Sequence, residues 1–516
     1  MTHSAARGRP IAQLHAMDNP NERNNQMFIV AFLWLGDVMT IGTWLALGEM
    51  LWLIGFAIWI ILERRSPAAT LAWVFALAWI PMLGIVVYLL VGPRRLRRKK
   101  LRYRRSKSRL AEASQVLQGH AEKMWPEDGA RVRDRSLALL AVRAGQSPPA
   151  RATRGSIISC GDDCYQAIES AIAEAKHHVH LEYYIWEPDR VGARFRDLLC
   201  EKAKGGVEVR LLIDAIGSSR LGRRFLRPLH EAGVHVAKFN PITLARFRPD
   251  MVNFRTHRKI VVCDGRIGFT GGMNVWDVHS AAVTGDLAWR DTHVHLEGLP
   301  VGDLQRAFLE DWHFATGSAP CTQRYFPDPD ASATGPWVQI LASGPDHDSY
   351  AIERFCFAAI AEAKTRVLVT TPYFVPNEPL LSALTTAAMR GAKVRILVPK
   401  RSNSWLVTAA ARSYFEDLVR VGVRIFEYNL PMLHAKTLVV DDDIALVGTA
   451  NMDNRSFRLN FEIAAVFYDR DVAELLAAMF KKDLRRAEEY RLREARRAPI
   501  GQRLSEAVAR LLSPLL

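Results

Sequence analysis

Two copies of one short motif carry the residues that are best suited to chemistry. In each copy a histidine is followed by a lysine two positions later and by an aspartate five positions after that lysine. The two copies are His257, Lys259 and Asp264, and His434, Lys436 and Asp441. Apolar, β-branched residues between lysine and aspartate predict strands, and alternate side chains of a strand share one face. Each histidine is therefore predicted to lie beside its lysine.

A small pair of residues and an asparagine follow each motif at matched distances. Seven residues past the aspartates come Gly271-Gly272 and Gly448-Thr449, and the asparagines Asn274 and Asn451 stand three residues after the first glycine of each pair. Glycine lets a backbone approach a ligand closely. Two copies with the same downstream spacing are a far more specific signal than one copy would be.

These groups suit a phosphodiester. The two ammonium groups can neutralise its non-bridging oxygens, and Asn274, Asn451 and Thr449 are predicted to bind the same phosphate. One imidazole can attack phosphorus while the other protonates the departing alkoxide and then deprotonates an incoming alcohol. A nucleophilic imidazole needs an acceptor on its other nitrogen, and Asp291 in the first copy and Glu462 in the second are predicted to orient the histidines.

Neither a metal nor a cofactor is expected. The pairs His178/His180 and His293/His295 each place two imidazoles on one strand face, but no third ligand of matching type is evident beside them. The six cysteines are scattered without a repeated spacing, which argues against a disulfide framework or a zinc site.

Four segments recur in the same order in two halves of the chain, in a texture of alternating strands and amphipathic helices. Residues 178–185 match 366–373, 206–213 match 391–398, 233–236 match 422–425, and 256–264 match 433–441. A matched series on this scale predicts a duplicated α/β domain, with one copy at about 151–325 and the other at 326–480.

The N-terminal part is predicted to form a membrane hairpin. An N-terminal tail and pre-membrane segment (1–40), polar over its first 26 residues, precedes two apolar windows, 41–62 and 70–91, each long enough to span a bilayer. The linker 92–150 opens with eleven Lys/Arg and no acid in residues 94–109, which predicts a cytoplasmic location for both catalytic halves. The basic, amphipathic tail 481–516 fits either a membrane-surface helix or a helix packed on the domain.

Charge argues against a nucleic-acid partner. The net charge is +15, and the eleven basic residues of 94–109 account for all but +4 of it. A nucleic-acid enzyme would spread basic residues over its binding face. A nuclease is therefore the less favoured reading of the two motifs.

The doubled pattern resembles the phospholipase D superfamily from about residue 155 to 470. Thr371-Pro-Tyr-Phe-Val-Pro-Asn and the stretch from Gly448 to Glu462 narrow the resemblance to bacterial cardiolipin synthases. That resemblance implies two α/β sandwich domains related by a pseudo-twofold axis. It also implies phosphatidyl transfer between two phosphatidylglycerol molecules through a phosphohistidine, with His257 as nucleophile and His434 as general acid and base.

The same resemblance implies anionic membrane lipids as partners and the bacterial inner membrane as the location. The catalytic residues leave the acceptor open, so a hydrolase or a transferase with another alcohol acceptor stays as an alternative. The sequence makes no prediction of the oligomeric state.

Overall fold

The computed structural model describes most of the chain. The described residues are 41–62, 67–79, 132–241, 254–320, 323–328, 333–346, 349–429, 431–493 and 499–513. They belong to two compact units, residues 1–92 and 93–516. The predicted N-terminal tail, the end of the second apolar window and the basic block 94–109 lie outside the described residues.

The first unit contains two helices, α1 (Ile41–Leu62) and α2 (Pro67–Trp79). Ile60 is fully buried against Trp59 of the same helix and Trp73 of α2. Other large apolar side chains of both helices are exposed, and Trp79 is 85% exposed. Within the described residues, no helix combines the length and the apolar character of a membrane span.

The second unit holds the two halves that the repeat predicts. The strands of the first half are β1 (Ala150–Ile158), β2 (His178–Tyr183), β3 (Glu208–Asp214), β4 (His235–Phe239), β5 (Ile260–Cys263), β6 (Ile267–Gly271) and β7 (His293–Gly298). The helices up to the end of this half are α3 (Val132–Arg143), α4 (Gly161–Glu174), α5 (Arg190–Lys204), α6 (Arg223–Glu231), α7 (Ala281–Thr284) and α8 (Pro300–Thr316).

The second half repeats this series. Its strands are β8 (Trp337–Ser343), β9 (Arg366–Thr370), β10 (Phe374–Val375), β11 (Lys393–Pro399), β12 (Arg424–Tyr428), β13 (Thr437–Val440), β14 (Ile444–Gly448), β15 (Met452–Asp453), β16 (Glu462–Tyr468) and β17 (Ala487–Glu489). Its helices are α9 (Ala351–Ala361), α10 (Glu378–Met389), α11 (Trp405–Arg420), α12 (Asn454–Arg458), α13 (Arg470–Asp483) and α14 (Ile500–Leu511).

The strand order confirms the duplication. One sheet runs β17-β12-β11-β9-β13-β14-β16-β8-β1-β7-β6-β5-β2-β3-β4. Read outward from its centre, the order β1-β7-β6-β5-β2-β3-β4 matches β8-β16-β14-β13-β9-β11-β12, strand for strand. The halves join where β1 pairs with β8 in antiparallel fashion. A mixed α/β fold with two like halves is therefore the architecture of this unit.

The central strands are buried on both faces, which explains their continuous apolar sequence. In β5, Val261 and Cys263 face the outer core of the first half. Ile260 and Val262 face an inner core that also contains residues of the second half and of α8 and α13. The same division holds for β13, where Val439 faces the inner core and its neighbours the outer one. One inner core therefore joins the two halves.

Parts of the predicted linker and tail are folded elements of this unit. Within the linker, α3 buries Leu137 in the outer core of the second half. Within the tail, β17 pairs with β12, and α14 buries Ala509 in the same outer core. The opposite face of α14 is open, with Leu504 63% exposed. One face of α14 is therefore packed on the domain, as one of the two predictions for this tail has it.

Candidate active site

Backbone pairing between the halves sets the position of both motif histidines. The N–H of His257 donates to the carbonyl of Phe461 (2.9 Å), and the N–H of His434 donates to the carbonyl of Arg290 (2.7 Å). Phe461 and Arg290 are the residues directly before the two predicted acceptors. Each histidine is therefore held opposite a carboxylate that belongs to the other half.

The side chains complete this crossed arrangement. Nδ1 of His257 lies 2.9 Å from Oε2 of Glu462, and Nδ1 of His434 lies 2.6 Å from Oδ2 of Asp291. Both carboxylates are fully buried. The structure thus brings both predicted acceptors to the histidines, and each serves the histidine of the opposite half. Because each Nδ1 donates to a carboxylate, each Nε2 carries the lone pair.

Glu462 is fixed by neutral donors. The hydroxyl of Thr449 donates to Oε2 (2.5 Å), and Nδ2 of Asn460 donates to Oε1 (3.1 Å). Thr449 is fully buried, and the backbone N–H of Ile463 donates to its hydroxyl (2.9 Å). The structure therefore places the hydroxyl of Thr449 against the carboxylate of Glu462, which it positions.

The equivalent position in the first half shows why a glycine stands there. A Cβ on Gly272 would lie 2.0 Å from Oδ1 of Asp291, so a side chain would displace the carboxylate. The backbone N–H of Thr292 donates to the same oxygen (2.7 Å). The second residue of each small pair therefore meets a carboxylate. Gly272 leaves space for Asp291, and Thr449 donates a hydrogen bond to the longer Glu462.

Charge and burial keep both imidazoles neutral. Burial lowers the pKa of His434 to about 3, and the nearby Lys436 ammonium adds to that effect against the attraction of Asp291. Burial also lowers the pKa of His257, against the attraction of Glu462. Burial alone would raise the pKa of Asp291, but Lys436 and His434 hold that pKa well below its usual range.

The two motif lysines are buried beside their histidines. Nζ of Lys259 donates to the carbonyl of His257 (2.7 Å), and Nζ of Lys436 donates to the carbonyl of His434. Nζ of Lys436 also lies 3.0 Å from Nδ1 of His434, but that nitrogen has its proton directed to Asp291 and cannot accept.

The pKa of Lys259 is lowered to about 7, chiefly by burial. The Glu462 carboxylate opposes this effect, and the Lys436 ammonium adds to it. Burial lowers the pKa of Lys436 to about 8, with Asp291 and Glu462 opposing. Carboxylates and ammonium groups of both halves thus act on one another. The two motifs meet in one electrostatic cluster, and an incoming anion would relieve the repulsion between the lysines.

The predicted asparagines lie in different hydrogen-bonding states. Oδ1 of Asn274 accepts from the backbone N–H of Ile185 (3.2 Å), so its amide nitrogen is the group that can donate to a phosphate oxygen. The side chain of Asn451 bonds to Asp453, and its Oδ1 is buried with no hydrogen-bond partner among the described residues. A buried acceptor of this kind suits a hydroxyl of a bound ligand.

Reasoning from the sequence missed three aromatic neighbours of the histidines. The ring of Tyr184 lies 4.9 Å from that of His257, and the ring of Trp289 lies 5.3 Å from that of His434. His279 lies 5.8 Å from His434, and its Nε2 accepts from the backbone N–H of Asn274 (3.3 Å). In the second half, Oγ of Ser456 accepts from the backbone N–H of Asn451 in the same way. Both acceptors stand five residues past their asparagine, so a comparison of these two positions could have found His279.

One group of side chains has the composition of a metal site. The ligand atoms of His279, Asp291 and His434 lie within 4.8 Å of one another. Asp291 already accepts from His434, and Lys436 adds a positive charge beside both. Because a cation would displace that hydrogen bond next to an ammonium, the group is better explained as part of the histidine's support.

The motif aspartates lie away from the histidines. Asp264 and Asp441 follow β5 and β13, whereas the histidines precede these strands. Asp264 accepts from the backbone N–H groups of Lys176, His177 and His178 at 2.8–2.9 Å. Asp441 accepts from the equivalent three residues of the second half, 364–366. Although predicted with the catalytic residues, both carboxylates hold turns at the far ends of their strands.

Comparison with known proteins agrees with this geometry. A family model described as "Cardiolipin synthase, PLD-like domain" matches residues 168–294 and 356–484, one match in each half. Cardiolipin synthase 1 of Bacillus anthracis is 38% identical over 495 residues, which cover 95% of this chain and 97% of the relative. The cardiolipin synthase of Geobacillus sp. (strain WCH70) is 40% identical over 458 residues, 88% of this chain and 90% of that one.

A solved structure shares the fold. The crystal structure of phosphatidylserine synthase from Haemophilus influenzae Rd KW20 matches with a TM-score of 0.55. The match covers 75% of this chain and 100% of that chain at 17% identity.

Site and relatives together define a phosphatidyltransferase of the phospholipase D type. Its substrates are phospholipids, as the family implies. With relatives this similar along almost its whole length, the chain belongs to the cardiolipin synthase family.

Proposed function

We propose that the chain joins two phosphatidylglycerol molecules by two successive displacements at one phosphorus atom. In the first, Nε2 of His257 attacks phosphorus, the bond from phosphorus to the glycerol oxygen breaks, and His434 gives that oxygen a proton. The products are free glycerol and a phosphatidyl group on His257. The choice of His257 as nucleophile follows the family resemblance.

In the second displacement, a hydroxyl of another phosphatidylglycerol attacks the phosphohistidine. The new phosphorus–oxygen bond forms as the phosphorus–nitrogen bond breaks, and His434 takes the hydroxyl proton. The product is cardiolipin, and both imidazoles return to their starting state. Because the bound phosphodiester is anionic, it raises the pKa of His434 above its value of about 3 in the free enzyme, so His434 takes up from solvent the proton that it gives to glycerol.

The observation that carries this proposal is the crossed pair of hydrogen bonds, His257 to Glu462 and His434 to Asp291. It leaves two nucleophilic nitrogens in a cluster that also holds two buried ammonium groups. Purified full-length chain given phosphatidylglycerol should release one glycerol per cardiolipin formed. Diacylglycerol phosphate as the only lipid product would instead identify a hydrolase, and a different lipid product with added ethanolamine or serine would identify another acceptor.

The intermediate can be tested separately. His434→Ala should slow breakdown of the intermediate, so that labelled phosphatidylglycerol leaves acid-labile, base-stable label on the protein. His257→Ala should leave none. Label of equal size on both variants would rule out His257 as the nucleophile.

We infer in addition that the N-terminal helices anchor the enzyme in the bacterial inner membrane as a hairpin, with the catalytic halves in the cytoplasm. The exposed apolar side chains of α1 and α2 and the eleven basic residues of 94–109 support this inference. The full chain should sediment with membranes, and a fluorescent protein fused to its C-terminus should fluoresce. An alkaline phosphatase fusion that is active at the same position would place the catalytic halves on the other side.

A further inference from the structure

A cavity opens at the edge of the sheet in the second half. It has a volume of about 390 Å³ and lies where β11 and β12 end. Its lining residues are Pro399, Lys400, Arg401, Tyr428, Asn429 and Pro431. Nothing in the two displacements at phosphorus uses these side chains.

Strand directions place this cavity on the same sheet edge as the catalytic histidine of the same half. Strand β11 is parallel to β9 and β12, and β13 is antiparallel to β9. The ends of β11 and β12 therefore lie on the same sheet edge as the start of β13, with neighbouring strands about 5 Å apart. Pro431 in the cavity wall precedes His434 by only three residues. The chain between them spans at most about 11 Å.

The cavity is cationic. Arg401 is exposed. Nζ of Lys400 lies 2.7 Å from Oε2 of Glu488, in an ion pair whose side chains are 42% and 64% exposed. An ion pair this exposed contributes little free energy, so Lys400 can exchange Glu488 for an anionic ligand at small cost. A guanidinium and an ammonium that line one cavity suit the two non-bridging oxygens of a phosphodiester, which share one negative charge.

The first half has no equivalent charge pair at this place. In the matched segments, Lys400 and Arg401 correspond to Ala215 and Ile216. The preceding residue there is Asp214, whose buried carboxylate is paired with Arg255 at 2.7 Å. The duplicated halves are thus unequal in charge at the place where the second half has this cavity.

We propose that Lys400 and Arg401 bind the phosphodiester of the acceptor lipid. This inference rests on the proposed function, in which the two lipids have different fates. The donor phosphate lies between the histidines and is attacked, whereas the acceptor phosphate keeps its bonds and needs a separate cationic subsite. Three carbons of the acceptor's glycerol then separate that subsite from the hydroxyl that attacks the phosphohistidine.

The test compares two acceptors on one purified, full-length enzyme in vesicles of phosphatidylglycerol diluted with phosphatidylcholine. Cardiolipin formation uses a lipid acceptor that carries a phosphate. Exchange of labelled free glycerol into phosphatidylglycerol uses the same phosphohistidine and an acceptor without a phosphate. Arg401→Gln should lower cardiolipin formation at limiting phosphatidylglycerol about tenfold and glycerol exchange less than about threefold, the loss expected for one charge-assisted contact.

Lys393→Gln is the matched control, because it removes the same charge from the opposite end of β11. It should change the ratio of the two reactions by less than about twofold, while Arg401→Lys should recover part of the cardiolipin rate. If Arg401→Gln reduces the thermal midpoint, Lys400→Gln serves as a second variant. It is expected to lower the ratio of cardiolipin formation to glycerol exchange in the same way. Equal losses in both reactions, or no loss in either, would overturn the subsite alone. A wild-type chain that makes no cardiolipin would overturn the proposed function itself.

Discussion

Each motif histidine depends on a carboxylate that lies far away in sequence. Because Glu462 holds the tautomer of His257, Glu462→Gln should lower kcat by about 10²–10⁴-fold while leaving the fold intact. Asp291→Asn should act in the same way on His434. The measurement is the initial rate on phosphatidylglycerol, with Glu474→Gln, on the exposed face of α13, as the matched control. Wild-type activity in Glu462→Gln would contradict the orienting role.

The two lysines should set the alkaline limit of activity. A lysine is charged below its pKa, and Lys259 has a pKa of about 7 and Lys436 of about 8. As pH rises through this range the ammonium groups lose their charge, so kcat/KM should fall, since this ratio reports on the free enzyme. Lys259→Arg keeps its charge, so its decline should begin near the pKa of Lys436 instead. A profile that stays flat to high pH would contradict these assignments.

At the residue scale, the sequence identified most residues of the active site but did not predict how they are arranged. The doubled spacing identified the histidines and the lysines, because both residue types repeat at the same offset. The two acceptors differ in type and offset, at 17 residues past Asn274 and 11 past Asn451, and were inferred only from their order after the asparagines. The crossing of acceptors between halves has no local signal, since it arises from backbone pairing of His257 with Phe461 and of His434 with Arg290. The inward turn of Thr449 could not be predicted either, because a hydroxyl suits a carboxylate as well as a phosphate.

Strand ends are where the motif aspartates act. Backbone N–H groups of residues 364–366 lower the pKa of Asp441 to about 2, although burial opposes this. Asp441→Asn keeps a residue that tolerates the local φ of 55° but loses the charge. We expect it to lower the free energy of unfolding by about 1–3 kcal/mol.

The sign of the pH dependence follows from the lowered pKa of Asp441. The stabilisation is complete above the unfolded value of about 4 and is lost as pH falls toward about 2. The difference between wild type and Asp441→Asn in urea unfolding should therefore shrink over that interval. Activity per folded molecule should stay near wild type, and a large drop in kcat at full folding would restore the catalytic assignment.

Among the elements, those with a repeated partner were predictable. The apolar runs before Asp264 and Asp441 predicted β5 and β13 because both faces of each strand are buried. By contrast, β17 and α14 have no counterpart among the described elements of the first half. They lie in a tail whose many basic residues predict a solvent-exposed segment. Their partners, β12 and α11, lie far back in the sequence, so only the folded chain shows that this tail completes the sheet edge.

The whole unit should unfold as one body, because its inner core takes side chains from both halves, among them Val262, Leu296, Val439 and Ile463. Arg258 of the first half also reaches the carbonyl of Glu462 (3.2 Å). Calorimetry of the chain from residue 93 onward should therefore show a single transition. Residues 132–330 expressed alone should be insoluble, and coexpression with 331–516 should rescue them. Two separate transitions would show that the halves fold independently.

The crossed carboxylates have a consequence for any shorter protein built on this plan. A lone half would own one imidazole and one acid that cannot reach each other, so it would be inert as a monomer. Two identical copies facing each other across a twofold axis would exchange acids and regain the full set. Duplication within one chain makes that exchange permanent, and it frees each copy to diverge, as the cationic cavity near Arg401 illustrates.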